Sequence, residues 1–328
     1  MAKIVVTDGM SNDAVNLLKK NGHEVTLQSF SKDELLNGCL SKFDAIIVRS
    51  ATKLTKEVIE STGSKLKVIG RAGVGVDNID LDAASNAKIT VVNAPLASTQ
   101  SVVELTIAHL LSSIRHLSKS DRGLRLGKWE KKAMVGTELS GKSLGLIGFG
   151  RIAQGVGMVA QAMGMEVHTY DPYLPPKVAK NQSTRLHKDV DTLFKSCTHI
   201  SVHCNLTDET HHLVNYERMK LMPGKSRLGL KCGNHIVNCA RGGIVDEEGL
   251  FQALEEGIIS SAALDVFEQE PVDSENKLLS HPDFHGTPHI GAATIEAQSR
   301  VGLDIAKNVM DSLAGKTVKA IVNSHLMK

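Results

Sequence analysis

A glycine-rich motif after an apolar run is the feature that most restricts the fold. Residues 148–153 read GFGRIA; they follow the apolar run 143–147 and open an amphipathic stretch. In a strand–turn–helix unit the first glycine permits a tight turn, and the second lets the backbone approach a pyrophosphate at the helix N-terminus. Asp171 ends the next apolar run, where a carboxylate would bind the ribose hydroxyls of NAD and repel the 2′-phosphate of NADP. We therefore expect an NAD site in a Rossmann-type domain.

Short β-branched runs alternate with amphipathic stretches on both sides of this motif. Such alternation is typical of parallel sheets covered by helices, so we predict an α/β protein with two doubly wound domains. We place a flavodoxin-like substrate-binding domain at 1–97, the Rossmann domain at 98–288, and a return segment at 289–328 that completes the first domain. The predicted strands are residues 3–7, 24–27, 45–48, 67–70, 90–92, 143–150, 166–171, 199–204, 235–240 and 260–267.

Two helices and a final strand complete this prediction. Long amphipathic patterns predict one helix at 101–119 and another at 294–313, and the run 318–322 is strand-like.

Composition excludes several classes of function. The 328 residues carry 38 basic and 36 acidic side chains, a net charge of +2, so we expect a small-molecule substrate and neither nucleic-acid nor membrane binding. The five cysteines include no CxxC pair, and no apolar run reaches the roughly 18 residues of a membrane span. Because the first residues lack a basic, apolar pattern, we expect no export leader. We expect a cytoplasmic protein with reduced thiols.

Three residues, two in the Rossmann domain and one directly after it, suggest hydride chemistry. Arg241 lies in the stretch NCARGGIVDE, Glu270 precedes a proline, and His289 follows one. Each alone has an ordinary explanation: a surface cation, a solvated acid, a histidine satisfied in the core. Together they supply an arginine to bind a carboxylate, a carboxylate to orient a histidine, and a histidine to move a proton. The sequence contains no metal-ligand spacing, and we predict no metal.

A second glycine-rich turn lies in the first domain, where residues 71–77 read RAGVGVD. The backbone N–H groups of Gly73, Val74 and Gly75 would form an anion nest for a substrate carboxylate. Arg49 and Arg71 follow or end predicted strands of the same domain. Two arginines exceed the need of one carboxylate, which indicates a second anionic group such as a phosphate.

At these motifs the chain resembles the D-2-hydroxyacid dehydrogenase family, and the likeness extends through ALDVFEQEP and TPHIG into segments such as IGRAGVGVDNIDL and EAQSR. The resemblance implies that Arg241, Glu270 and His289 are catalytic, and that Asp171 and Asp265 contact the ribose and the nicotinamide carboxamide. The cofactor contacts we expect are Val74, Gly148, Gly150, Arg151, Ile152, Asp171, Cys204, Cys239, Asp265 and Gly291. The expected substrate contacts are Arg49, Arg71, Gly73, Val74, Gly75, and Lys131 from a neighbouring subunit.

The resemblance further implies oxidation of D-3-phosphoglycerate to 3-phosphohydroxypyruvate with NAD, the first step of serine biosynthesis. It implies a homodimer or homotetramer formed through the cofactor domain. Two alternatives remain open: a glyoxylate or hydroxypyruvate reductase, and an NAD-sensing binding protein like the transcriptional corepressors of this fold.

The chain departs from the family pattern at a few positions. Ala153 replaces the third glycine of the dinucleotide motif, Ser98 replaces an asparagine, Asn205 replaces a proline, and the connection at 223–233 is several residues longer. These changes put local cofactor geometry in question. We also expect no C-terminal serine-binding regulatory domain.

Overall fold

The computed structural model describes residues 1–326, and the chain divides into two compact units. The first unit comprises Met1–Ser98 and the segment from Ala292 onward, and the second comprises Thr99–Gly291. The predicted boundaries at 97/98 and 288/289 differ slightly from these. His289 belongs to the second unit because its backbone N–H donates to the Asp265 carbonyl oxygen at 2.8 Å.

The first unit is built on a five-stranded parallel sheet of order β2-β1-β3-β4-β5. Its strands are β1 Lys3–Val6, β2 Glu24–Leu27, β3 Ala45–Val48, β4 Val68–Arg71 and β5 Thr90–Asn93. Its helices are α1 Asn12–Lys20, α2 Lys32–Leu36, α3 Lys56–Ser61, α4 Leu81–Asn86 and α13 Ile295–Leu313, with a 3₁₀ turn at Cys39–Lys42. The central strand β3 is buried along its whole length because helices cover both faces of the sheet.

The segment after the second unit returns to the first, as its pattern predicted. Helix α13 packs on β4, where a side chain at Gly70 would lie 2.6 Å from Val309. Buried Asn323 accepts the Val91 N–H at 2.9 Å and donates to the Ile89 carbonyl at 2.9 Å. The predicted strand at 318–322 is reduced to a single antiparallel bridge between Ile321 and Val92.

The second unit is built on a seven-stranded parallel sheet of order β12-β11-β10-β9-β6-β7-β8. Its strands are β6 Ser143–Ile147, β7 Glu166–Tyr170, β8 Arg185–Leu186, β9 His199–Val202, β10 His235–Asn238, β11 Ser261–Leu264 and β12 Phe284–Gly286. Its helices are α5 Thr99–Ile114, α6 Leu117–Arg125, α7 Arg151–Ala162, α8 Pro176–Asn181, α9 Val190–Ser196, α10 Tyr216–Met219, α11 Glu247–Glu255 and α12 Lys277–Ser280, with a 3₁₀ turn at Lys131–Ala133. The two parallel sheets confirm the predicted fold class.

The single helix predicted at 101–119 is wrong, because the structure divides this stretch into α5 and α6. His116 between them adopts a left-handed backbone conformation with φ of 53°, which an α-helix cannot continue through. Helix α5 is largely buried, whereas α6 has no buried residue and carries exposed leucines. The apolar pattern continues across both helices, so it did not predict the change from the buried helix α5 to the exposed helix α6.

The lengthened connection at 223–233 forms a short hairpin. An antiparallel bridge joins Lys225 to Lys231, and the Ser226 N–H donates to the Leu230 carbonyl at 2.8 Å. Leu228 at its tip is exposed. Asn234 anchors the base, where its side-chain oxygen accepts the Gly224 N–H at 2.8 Å.

Within residues 1–326, none of the helices combines the length and the apolar character that crossing a bilayer requires.

Several imidazoles lie in the interior of the second unit. His168 and His187 are joined ring to ring at 2.9 Å, and His235 bonds the Ser261 hydroxyl at 2.8 Å. Burial penalises the charged form and lowers the pKa of His168, His235 and His285 to about 4, and the pKa of His203 to about 3. These side chains are therefore neutral in the folded protein at pH 7.

We expect this set of histidines to make the fold acid-sensitive. Between pH 6.5 and 4 the unfolded chain binds protons at these histidines that the folded chain does not, so the free energy of unfolding falls as pH falls. The loss should be on the order of 1 kcal/mol per histidine per pH unit, measured by urea unfolding with circular dichroism at pH 7, 6 and 5. His168→Gln should flatten this slope, and His325→Gln, at an exposed position, should leave it unchanged. A free energy of unfolding that is constant from pH 6.5 to 5 would contradict the expectation.

Candidate active site

The dinucleotide motif lies where β6 ends and α7 begins. Gly148 has φ of 84°, and a side chain there would lie 2.9 Å from the His203 carbonyl oxygen, so only glycine fits. Gly150 is the N-cap of α7, and its Cβ position has no atom within 4 Å. The first N–H groups of a helix have no intrahelical partner and attract anions. This turn can therefore hold a pyrophosphate, with Arg151 and Ile152 opening the helix.

Asp171 is held at the carboxyl end of β7. One carboxylate oxygen accepts the Phe149 N–H at 2.9 Å, and the other accepts the Tyr173 N–H at 3.0 Å. A carboxylate has about four acceptor positions, so it can still bind two ribose hydroxyls. The residues present fit an adenosine diphosphate group.

Two cysteines follow strands at the same edge. Cys204 comes after β9 and Cys239 directly after β10. Burial raises the pKa of the Cys204 thiol to about 11 and that of Cys239 to about 12. Both are protonated at neutral pH, so they can line a cofactor site but not serve as nucleophiles.

Arg241 lies in the turn that follows β10. The Asn238 side chain shapes this turn, because its oxygen accepts the Ala240 N–H at 2.9 Å and its nitrogen donates to the Arg241 carbonyl at 2.8 Å. A side chain at Gly242 would collide with the Phe267 carbonyl oxygen. The missing side chain thus lets the Arg241 turn approach the segment that carries Glu270.

Glu270 and His289 form a hydrogen-bonded pair. His289 Nδ1 lies 2.7 Å from one Glu270 oxygen, and the other Glu270 oxygen accepts the Phe267 N–H at 3.1 Å. The His289 side chain is 43% exposed and the Glu270 side chain is 38% exposed, so the imidazole is accessible to a ligand. His289 has φ of 53°, a conformation that costs free energy in a residue with a side chain and is often found at functional sites.

Glu270 is ionised over a wide pH range. Partial burial by itself raises the pKa of Glu270, but the hydrogen bond and charge of His289, the Phe267 N–H and the charge of Arg241 outweigh it. The pKa of Glu270 therefore lies below its ordinary value. An ionised Glu270 accepts the Nδ1 hydrogen of His289 and leaves Nε2 to exchange a proton with a substrate.

Asp265 holds the turn that presents His289. One oxygen of its buried carboxylate accepts the Thr287 hydroxyl at 2.6 Å and the Ile290 N–H at 2.8 Å, and the other accepts the Gly291 N–H at 2.8 Å. A buried charge needs such donors to be tolerated. The turn is therefore fixed relative to the end of β11.

In the first unit, the structure places Arg49 and Arg71 at the ends of neighbouring strands. Arg71 is paired with Val48 in the sheet register, and Arg49 is the next residue after Val48. Asp8 fixes the backbone of Arg49 by accepting its N–H at 2.7 Å. This edge, where the strand order reverses beside β1, is the usual ligand-binding place of a flavodoxin-like sheet.

The predicted anion nest at 73–75 needs a correction. The Gly73 N–H donates to the Arg71 carbonyl at 2.8 Å, so it is not available to a substrate carboxylate. The Arg71 side chain folds over Gly73 and occupies the space where a side chain would stand. Val74 is exposed and Gly75 is partly buried, and both remain candidates for ligand contact.

Lys131 lies on the exposed 3₁₀ turn of the second unit. Its contact with a neighbouring subunit stays a prediction.

One group within residues 1–326 has the spacing of a cation site. Ligand atoms of His212, Asp246 and Glu268 lie within 4.8 Å of one another. His212 is already paired with Glu268 at 3.0 Å, and Asp246 caps α11 by accepting the Gly249 N–H at 3.1 Å. The group is thus explained by protein contacts.

Sequence reasoning did not assign Asn238 and Thr287, which support the turns of Arg241 and His289. Both lie within the quoted motifs, and Asn238 ends a buried strand. A polar side chain at the end of an apolar run was the available signal.

Comparison with known proteins identifies the family of the chain. The family model described as D-isomer specific 2-hydroxyacid dehydrogenase, NAD binding domain, matches residues 107–291. The chain is 45% identical over 323 residues to the D-3-phosphoglycerate dehydrogenase of Methanocaldococcus jannaschii, which covers 98% of this chain and 60% of that protein. It is 44% identical over 314 residues to the hydroxypyruvate reductase of Thermotoga maritima, which covers 95% of this chain and 98% of that protein.

A solved structure shows the same architecture. The NAD⁺-bound 3-phosphoglycerate dehydrogenase of Entamoeba histolytica is similar with a TM-score of 0.79 at 32% identity, covering 98% of this chain and 99% of that one. The chain spans about 60% of the length of the Methanocaldococcus jannaschii relative and nearly all of the reductase. It belongs to the D-isomer specific 2-hydroxyacid dehydrogenases, and its second unit is an NAD-binding domain.

Proposed function

We propose that this chain oxidises D-3-phosphoglycerate to 3-phosphohydroxypyruvate with NAD. The observation that carries the dehydrogenase assignment is the 2.7 Å contact between Glu270 and His289, with Arg241 close enough to lower the pKa of Glu270. Arg49, which follows β3, and Arg71, which ends β4, favour a phosphorylated substrate, because a phosphate dianion needs cationic partners when it leaves water.

In the proposed reaction, His289 Nε2 accepts the proton of the substrate C2 hydroxyl as the C2–H bond breaks and the C2=O bond forms. Bound NAD supplies the acceptor for the hydride. Glu270 holds the imidazole through Nδ1 and stabilises the imidazolium that results. In reduction, His289 returns the proton to the carbonyl oxygen.

Arg241 binds the substrate beside this pair. Its guanidinium offers a planar set of donors to a carboxylate and an adjacent oxygen. We propose that Arg49 and Arg71 bind the phosphate, with Arg71 moving from its position over Gly73 when the ligand enters.

A second candidate is reduction of hydroxypyruvate. The Thermotoga maritima hydroxypyruvate reductase matches this chain over nearly its whole length. That substrate has the carboxylate and carbonyl that Arg241 and His289 would bind, but it has no phosphate. Under this alternative, Arg49 and Arg71 would not both be required.

Substrate preference distinguishes the two candidates. We expect NAD-linked kcat/KM to be about 10- to 100-fold higher for D-3-phosphoglycerate than for D-glycerate. A ratio of this size corresponds to the binding free energy of charge-assisted hydrogen bonds to the phosphate. The assay should include D-lactate, 2-oxoglutarate, hydroxypyruvate and NADP. Faster turnover of the glycerate and hydroxypyruvate pair would favour the second candidate.

Arg49→Ala tests the phosphate contact directly. It should raise KM for D-3-phosphoglycerate about tenfold or more and change KM for D-glycerate little, while Arg49→Lys should keep part of the effect. Equal losses for both substrates would assign Arg49 to the fold or to the common carboxylate.

The pH dependence should invert with direction, because oxidation needs a neutral His289 and reduction needs the imidazolium. The pKa of Glu270 lies below its ordinary value, so its carboxylate stays ionised and keeps its interaction with His289 at more acidic pH than an ordinary glutamate would. Glu270→Gln removes the charge that stabilises the imidazolium, so the acidic limb of the oxidation profile should move to lower pH.

Replacement of the histidine itself completes this test. His289→Ala should lose at least about 10²-fold in kcat with NADH affinity largely kept. Turnover near that of the unmodified protein would remove His289 from the proposed role.

We also infer that the chain forms a homodimer or homotetramer through the second unit. Segment 117–135 carries large apolar side chains in contact with solvent: Leu117, Leu124, Leu126, Trp129 and Val135. A cluster of exposed apolar residues of this kind is typical of a protein–protein interface.

Leu124→Glu should shift the protein to a smaller species, because a charge would be buried at the interface. Sedimentation velocity measures this, and Leu228→Glu on the 225–231 hairpin is the matched control. A dimer that survives Leu124→Glu would place the interface elsewhere.

A further inference from the structure

A chain of hydrogen bonds runs through the second unit from helix α5 to the turn of His289. His109 Nε2 lies 3.1 Å from the Thr287 hydroxyl, and that hydroxyl lies 2.6 Å from an Asp265 oxygen. His109 is 4% exposed and Asp265 is 1% exposed. Both ends of the arrangement are thus buried, and Thr287 between them is partly buried.

The chemistry of the groups fixes the direction of these bonds. An ionised carboxylate only accepts, so the Thr287 hydroxyl must donate its single hydrogen to Asp265. The hydroxyl can then only accept from His109, which must carry its hydrogen on Nε2. Burial lowers the pKa of His109 even though the charge of Asp265 opposes the shift, so the ring is neutral.

Ring packing also restricts His109. The centroid of the His285 ring lies 5.2 Å away, with an angle of 39° between the planes. A neutral imidazole held by packing on one side and by a hydroxyl on the other has little freedom to turn. It can therefore keep the Thr287 hydroxyl in one orientation.

Asp265 transmits this orientation in two directions. Its carboxylate uses three acceptor positions on Thr287, Ile290 and Gly291, and about four are available, so one remains for a ligand. Its carbonyl oxygen also accepts the His289 N–H. A carboxylate that rotated would change both the free acceptor and the turn that presents His289.

We propose that His109 is a positioning residue for the nicotinamide end of the cofactor, acting through Thr287 on the Asp265 carboxylate that accepts the carboxamide NH₂. The inference rests on the proposed function. It assigns to α5 a part in the reaction that none of the sequence motifs contains.

The test compares two ligands that share the adenosine diphosphate group. ADP-ribose lacks the nicotinamide, so the ratio of NADH affinity to ADP-ribose affinity isolates the end that His109 is proposed to position. His109→Leu should lower NADH affinity about tenfold, lower kcat, and leave ADP-ribose affinity unchanged. His109→Gln, which can still donate to Thr287, should recover much of the loss.

Three further variants separate positioning from folding. Thr287→Val removes the middle of the hydrogen-bond chain without altering α5 and should lower the same ratio, and the double variant with His109→Leu should lose no more than Thr287→Val alone. His235→Leu removes another buried, hydroxyl-bonded imidazole of the same unit and should leave the ratio unchanged.

An unchanged ratio in both His109→Leu and Thr287→Val overturns the proposal, as does a fall in ADP-ribose affinity equal to that of NADH. If His109→Leu does not fold, Thr287→Val decides alone. Failure of the proposed function would be visible separately, because the unmodified protein would then show no 2-hydroxyacid turnover.

Discussion

The site depends on the common direction of the strands in each sheet. Because all strands of a parallel sheet end at the same edge, residues far apart in sequence that follow different strands become neighbours. In the second unit this applies to Gly148 after β6, Asp171 after β7, Arg241 after β10 and Asp265 after β11. The turns at that edge then need only local hydrogen bonds to direct their side chains.

Much of this arrangement could be predicted because it depends on local patterns in the amino-acid sequence. The alternation of apolar runs and amphipathic stretches predicted the two parallel sheets. The GFGRIA turn predicted the position of the helix that can hold a pyrophosphate. What could not be predicted depends on packing between distant segments. Three features could not be read from a local sequence pattern. They are the left-handed conformation of His116, the hydrogen bond from the Gly73 N–H to the Arg71 carbonyl, and the bond between His109 and Thr287, which are 178 positions apart.

The buried histidines also show the difference between what a local sequence pattern predicts and what depends on packing. Fourteen histidines are too many for each to have a function, and sequence alone gave no reason to select His109 over its neighbours. In the structure, the hydrogen-bond partner of each buried imidazole distinguishes it from the others. His168 bonds a second imidazole, His235 bonds a hydroxyl, and His109 bonds a hydroxyl that also donates to a carboxylate. Only the last of these reaches the candidate active site.

The division of the first unit into two separated segments affects how the chain is made. At a synthesis rate of about 5 to 20 residues per second, the ribosome needs roughly 10 to 40 s to add residues 99–291 before α13 emerges. During that interval the face of β4 at Gly70, which Ile305 and Val309 later cover, lacks its partner helix. The second unit is continuous in sequence and meets no such delay, so on the ribosome the NAD-binding domain is complete before the domain whose strands come first.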